Sequence, residues 1–71
     1  MMPYANLRGN SPIISYEIES DRIIVLFKQG RQYSYSYSKA GVRNVEEMKR
    51  LAQSGAGLSA FITHNVRYLY D

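Results

Sequence analysis

The sequence has no cysteine, no tryptophan, one histidine and two prolines. Without cysteine, neither a disulfide framework nor a thiolate metal site is open to it. A single histidine rules out a histidine-cluster metal site, so no metal or cofactor is expected. His64 is also the one side chain whose ordinary pKa suits a general base near neutrality. No Gly-x-Ser-x-Gly stretch accompanies it, and no third group is placed to orient it. Glu17 and Glu19 stand two positions apart on one strand face, about 7 Å at ~3.4 Å per residue. A solvated face accounts for them better than an acid–base pair. These absences predict a protein that is not an enzyme. Long hydrophobic runs are missing too, since nothing approaches the roughly 20 apolar residues of a membrane span. Residues 1 to 12 lack the basic start and apolar stretch of a signal peptide. A soluble protein with no membrane partner is expected, and the want of disulfides in so small a chain favours a cytoplasmic setting.

Acid is scarce where base is dense. The net charge is +3, but Lys28, Arg31, Lys39 and Arg43 fall in one stretch with no acid among them. Charge concentrated in this way attracts a polyanion, where a mild net charge does not. The same stretch carries Tyr33, Tyr35 and Tyr37 at alternate positions. Rings on a sheet stack bases while cations track phosphates, so the combination points to RNA or single-stranded nucleic acid. The competing reading is a solvated basic loop beside a strand whose tyrosines face inward. Ser34 and Ser36 cannot build a core, so Tyr33 and Tyr35 are expected to pack against helices and are the weaker stacking candidates. Tyr37, at the strand end beside Lys39, is expected to be the most exposed of the three. The candidate nucleic-acid contacts are therefore Lys28, Arg31, Tyr37, Lys39 and Arg43. Tyr68, Arg67 and Tyr70 form a second candidate surface.

With 71 residues, 45% of them hydrophobic, the chain is one small domain that should fold. Residues 1 to 12, rich in Pro, Gly and Asn, read as a flexible arm, leaving residues 13 to 71 as the domain. Residues 13–19 alternate, with Ile14, Tyr16 and Ile18 on one side and Ser15, Glu17 and Glu19 on the other, as a half-buried strand does. Residues 23–28 are apolar on both sides, which predicts a central strand covered on two faces or part of a small curled barrel. Gln29-Gly30 is a hairpin turn with glycine at positive φ. Residues 31–37 keep a period of two and form the third strand. A first helix is expected over 45–54, with Asn44 as its N-cap, Glu46 and Glu47 in its first turn and Gly55 as its stop. Val45, Met48, Leu51 and Ala52 make its apolar stripe. Gly55-Ala56-Gly57 reads as a hinge; it lacks the lysine and spacing of a phosphate-binding loop. A second helix is expected over 59–70, with Leu58, Phe61, Ile62, Val66 and Leu69 in one sector. Asn65 falls in that sector, where it would need a tyrosine hydroxyl or loop backbone partner. The expected fold is α+β, a three-stranded antiparallel meander followed by two C-terminal helices on one face.

The run Val25-x-Phe27-x-x-Gly30-x-x-Tyr33-x-Tyr35 is similar to the central motif of the KTSC domain. That family takes its name from the C-terminal part of certain lysyl-tRNA synthetases and also includes stand-alone bacterial and phage proteins. The resemblance continues through Ala52-x-Ser54, Gly57, Phe61 and Val66-Arg67-x-x-Tyr70, and so spans about residues 11 to 70. The glycine after Ser54 stands one position later than in the family pattern, and the stretch on to Val66-Arg67 is longer. The resemblance implies a small non-enzymatic binding module, with RNA as the suggested ligand from the synthetase context. It also brings an alternative architecture, an Sm-like or SH3-like small barrel. The alternative function is a protein-interaction or homo-oligomerising module, since a two-faced apolar strand in so small a chain leaves surface to cover. In a phage-encoded form such a module would act on a host protein.

Overall fold

The computed structural model describes residues 1–71. The elements in chain order are β1 (Met2–Pro3), β2 (Ile13–Glu19), β3 (Arg22–Phe27), β4 (Gln32–Ser36), α1 (Tyr37–Ala40), α2 (Val42–Ser54) and α3 (Leu58–Phe61). A π-helical stretch, Ile62–Val66, continues α3. The architecture is α+β. The sheet is antiparallel with four strands in the order β1-β2-β3-β4. It is open, with β1 and β4 at opposite edges, so the small-barrel alternative does not describe it. No helix is long and apolar enough to cross a membrane.

β2 departs from simple alternation at its start. Ile13 lies opposite Phe27 and Ser15 opposite Leu26, so Ile14 is the extra residue of a β-bulge. A bulge shifts the side chains before it to the other face. Ile13 is therefore 2% exposed and Ile14 46%, which reverses the expected placement of Ile14. Beyond the bulge, Tyr16 and Ile18 keep the expected side, as buried and half-buried residues. β3 is central, but only one of its faces is covered. Ile23 and Val25 are fully buried beneath α2, while Ile24 and Leu26, on the other face, remain half-exposed. The turn between β3 and β4 has Gly30 at φ +82 and closes through Phe27 N–H to Arg31 C=O at 2.8 Å.

The third strand ends earlier than its period suggests. Ser36 Oγ accepts the Lys39 N–H at 3.3 Å, and an N-cap of this kind turns the chain into a helix. Tyr37 consequently opens α1 instead of closing the strand. Residues expected as an irregular link supply α1 and the first turn of α2, which begins at Val42. Asn44 is thus not the cap. Inside the first turn, its Nδ2 donates back to Ala40 C=O at 2.8 Å. Glu46 and Glu47 then lie past the first turn and pair with Lys49 and Arg50 at i+3. The apolar stripe holds, with Val45, Met48 and Ala52 buried and Leu51 half-buried, and Gly55 ends α2 in the left-handed conformation.

The last helix stops at Val66, short of the expected Tyr70. Asn65 Nδ2 donates to Phe61 C=O at 3.1 Å, the carbonyl that an α-turn would offer to the backbone N–H of residue 65. The turn widens to π geometry and the wheel loses phase. Leu58, Ile62 and Val66 stay buried, but Leu69 is 37% exposed and Asn65 faces solvent rather than the core. The N-terminal residues are docked where a flexible arm was expected. Tyr4 is 6% exposed; its N–H donates to Ile14 C=O at 2.9 Å and its hydroxyl accepts the Leu58 N–H at 3.3 Å. Leu7 N–H reaches Gly55 C=O at 2.8 Å. A core of Tyr35, Ile23, Val25, Val45, Met48, Leu58 and Val66 unites sheet and helices. Truncating Met48 or Leu58 to alanine would cost about 2–5 kcal/mol.

Candidate nucleic-acid interface

Ion pairing sorts the cations into two sets. Arg22 contacts Glu19, Asp21 and Asp71, Lys49 contacts Glu46, and Arg50 contacts Glu47. Glu17 lies 3.7 Å from the Met1 amino group. Every acidic side chain is thereby engaged. Of the nine basic side chains, Arg8, Lys28, Arg31, Lys39, Arg43 and Arg67 have no carboxylate partner, and all six are exposed. The four cations named from the sequence belong to this free set.

The structure does not bring those four together. Lys28 and Arg31 flank the turn into β4, whereas Lys39 and Arg43 follow its other end, about 14 Å away at ~3.4 Å per residue. Tyr37 is not free to stack. Its hydroxyl donates to Glu46 Oε2 and accepts from Lys49 Nζ at 3.4 Å. The same ammonium sits 5.2 Å from the ring centroid. The bond to Glu46 is the main cause that raises the Tyr37 hydroxyl pKa, and in turn the main cause that lowers that of Glu46. Tyr37 is half-buried, and the expectation of an exposed stacking ring at this end gives way to a polar clamp between α1 and α2. Tyr35 is 2% exposed and belongs to the core, as its face predicted. Burial raises its hydroxyl to about 12.

The turn end of β4 is different. Phe27, Gln29, Arg31 and Tyr33 line an open concavity of about 350 Å³. Phe27 and Tyr33 meet edge-to-face with centroids 5.7 Å apart. Tyr70 packs on Tyr33 at 4.5 Å and edge-on to Tyr35 at 6.5 Å. Arg31 Nη1 donates to the Tyr33 hydroxyl at 3.5 Å, which holds a guanidinium at the rim of an aromatic cluster. Tyr33 and Phe27 are half-exposed. The site therefore keeps Arg31 and Tyr33 from the sequence reading, with Lys28 exposed on the adjoining turn, draws in Tyr70 from the second candidate surface, and adds Phe27. Phe27 was legible in principle, since the Gly30 turn places its neighbour Val25 opposite Tyr33. Tyr70 was named from the sequence only with Arg67 and Tyr68 as a separate surface; its place beside Tyr33 depends on the chain's return to the sheet after the π-helical stretch.

A second concavity of about 310 Å³ lies beside Gly55-Ala56-Gly57 and includes Arg8. The Leu58 N–H at the head of α3 is already bonded to Tyr4 there. His64 is exposed and lines none of the concavities. Comparison with protein-family models, with characterised proteins and with solved structures gives no match.

Proposed function

We propose that this chain is a small KTSC-like binding module that takes single-stranded nucleic acid, RNA foremost, at the β3–β4 turn. The observation that carries the reading is the Arg31 guanidinium, free of any carboxylate, at the rim of the Phe27–Tyr33 concavity. Lys28 stands beside it on the turn. A base fits against the half-exposed rings while the two cations meet flanking phosphates. Lys39 and Arg43 extend the basic surface at the far end of β4, where a longer strand would reach them. The test is fluorescence anisotropy of a labelled oligouridylate at about 50 mM salt, where phosphate contacts are strongest. Lys28→Glu with Arg31→Glu should abolish binding. Tyr33→Ala should weaken it by about 1–3 kcal/mol, roughly 5- to 150-fold, and Tyr33→Phe should retain most of it. No binding by the parent chain, or binding indifferent to Arg31→Glu, would sink the proposal.

The protein-interaction reading rests on a different observation, the sheet face opposite the helices. Ile24 and Leu26 are half-exposed there, and Ile14 stands out on the bulge. Self-association through that face should appear as a mass in light scattering that rises with concentration and falls back with Leu26→Glu. A constant monomer mass would count against it.

A further inference from the structure

Strand β4 offers backbone groups to a neighbour that is barely there. Arg31 C=O accepts from Phe27, and Tyr37 N–H donates to Asp21. Odd-numbered residues of β4 therefore bond to β3, and Gln32 and Ser34 point their N–H and C=O groups outward, by the alternation of an antiparallel ladder. Of those outward groups, only Ser34 C=O has a backbone partner, the N–H of Asp71 at 2.8 Å. Around that one bond, residues 70 and 71 behave as a rudimentary strand, with side chains on opposite sides of the sheet. The Tyr70 ring lies on Tyr33 and Tyr35. The Asp71 carboxylate accepts from Ser36 Oγ at 2.8 Å and Ser34 Oγ at 3.5 Å, and lies 3.7 Å from Arg22 Nη1. Tyr70 is still 37% exposed. One backbone hydrogen bond, two hydroxyl–carboxylate bonds, an exposed ion pair and the ring contacts hold the segment, and a longer peptide would add main-chain bonds to these.

We propose that the β4 edge is a strand-addition site for an extended peptide carrying an aromatic residue followed by an acidic one, and that Tyr70-Asp71 occupies it in cis. The cis segment shows the chemistry the edge accepts. The Tyr33–Tyr35 surface takes a ring, and Ser34, Ser36 and Arg22 take one carboxylate. Glu19 and Asp21 already share Arg22, so a second acid at that end is disfavoured. At the other end of the edge, Arg31 has no carboxylate partner and favours acid there. A longer peptide would bond Gln32 N–H and C=O and Ser34 N–H, which residues 70 and 71 leave open. This is the β-augmentation mode of recognition, in which main-chain bonds supply affinity and alternate side chains supply specificity.

The probe is a fluorescein-labelled peptide repeating residues 66–71, titrated into the full chain and into the Tyr70→Ala, Asp71→Ala double variant. The double variant should bind at least about tenfold more tightly, because the cis side chains no longer compete for the edge. Amide shifts should concentrate in Gln32–Ser36, and a peptide with alanine in place of the last tyrosine and aspartate should lose binding. Arg22→Gln should weaken the peptide in an Asp71→Ala chain, where no cis carboxylate shares the guanidinium, which covers the case of a double variant that fails to fold. The idea fails if the folded double variant shows no shifts in Gln32–Ser36, or binds the alanine peptide equally well. It fails also if Arg22→Gln leaves binding by the Asp71→Ala chain unchanged. Oligouridylate at the turn should shift Phe27 to Tyr33 and spare Ser34 and Ser36; if it moves the Ser34 and Ser36 amides as the peptide should, the peptide assignment is overturned.

Discussion

Tyr35 and Tyr37 carry the same phenol two positions apart, and their surroundings separate them. Tyr35 is buried among sheet and helices, and its ionisation is pushed up to about 12 chiefly by burial. An unfolded tyrosine releases its proton near 10. Between those values the unfolded chain holds fewer protons than the folded one, so stability is full below pH ~10 and falls as pH rises toward ~12. Denaturant melts across that window should show the loss, and Tyr35→Phe should flatten it. Tyr37 is governed instead by its bond to Glu46. That bond is the leading cause holding the Glu46 carboxyl below the usual range, with Lys49 adding to it. Its stabilising contribution is present above the ordinary glutamate value of about 4.3 and disappears as pH falls through the folded one. Tyr37→Phe should move the Glu46 carbon resonance titration upward, while Tyr33→Phe should not.

Helix and strand ends in this chain are set by a few small residues. Gly30 and Gly55 both have positive φ, at +82 and +81, but they differ in what a side chain would meet. A Cβ on Gly30 finds nothing within 4 Å, whereas one on Gly55 would stand 2.7 Å from Ala5 Cβ and 3.2 Å from Leu7 Cγ. Gly30→Ala should therefore cost only the left-handed penalty of about 1–2 kcal/mol. Gly55→Ala should cost more and should loosen the docked residues 4 to 7. Chemical denaturation gives the first comparison and amide exchange at Leu7 the second. Ser36 serves two elements, capping α1 and holding Asp71. Ser36→Ala should lose about 1–2 kcal/mol from the cap, and the ring-current shifts of Tyr70 on Tyr33 should shrink with it.

Across the whole molecule, the charge left after internal pairing is positive and distributed. All acids are neutralised by neighbours, and six exposed cations remain. The salt dependence of oligonucleotide binding therefore reports how many of them engage. If Lys28 and Arg31 alone neutralise phosphates, the slope of log K against log salt should be about −1.4, at ~0.7 per contact for single strands. A strand that also reaches Lys39 and Arg43 would steepen it to about −2.8 by the same rule. The turn-end site predicts the shallower value for short oligomers, and the steeper one only once the strand spans β4.

Local chemistry alone determined much of this protein. A two-sided apolar run wrote the strand around Ile23 and a period of two the one around Tyr35, Gly30 placed the turn between them, and the stripe of Val45, Met48 and Ala52 wrote a helix that Gly55 ends. Each of these depends on contacts within a few residues, so each was legible without the fold. The inward-facing tyrosine side was legible too, because serines cannot line a core. What the tertiary structure decided involves groups distant in sequence. The bulge exchanges Ile14 for Ile13 because β2 must match β3 and bury one of the two. The Ser36 hydroxyl, besides its local cap on the Lys39 N–H, holds Asp71, 35 positions away. Tyr37 is spent on Glu46 and Lys49, which only the packing of α2 brings near. Residues 2 to 4 join the sheet because Tyr4 finds Leu58, 54 positions away. Tyr70 and Asp71 return to β4 after a π turn that no hydrophobic period encodes. Side-chain patterns state which face a residue prefers; which distant partner claims it is settled only when the elements close on one another.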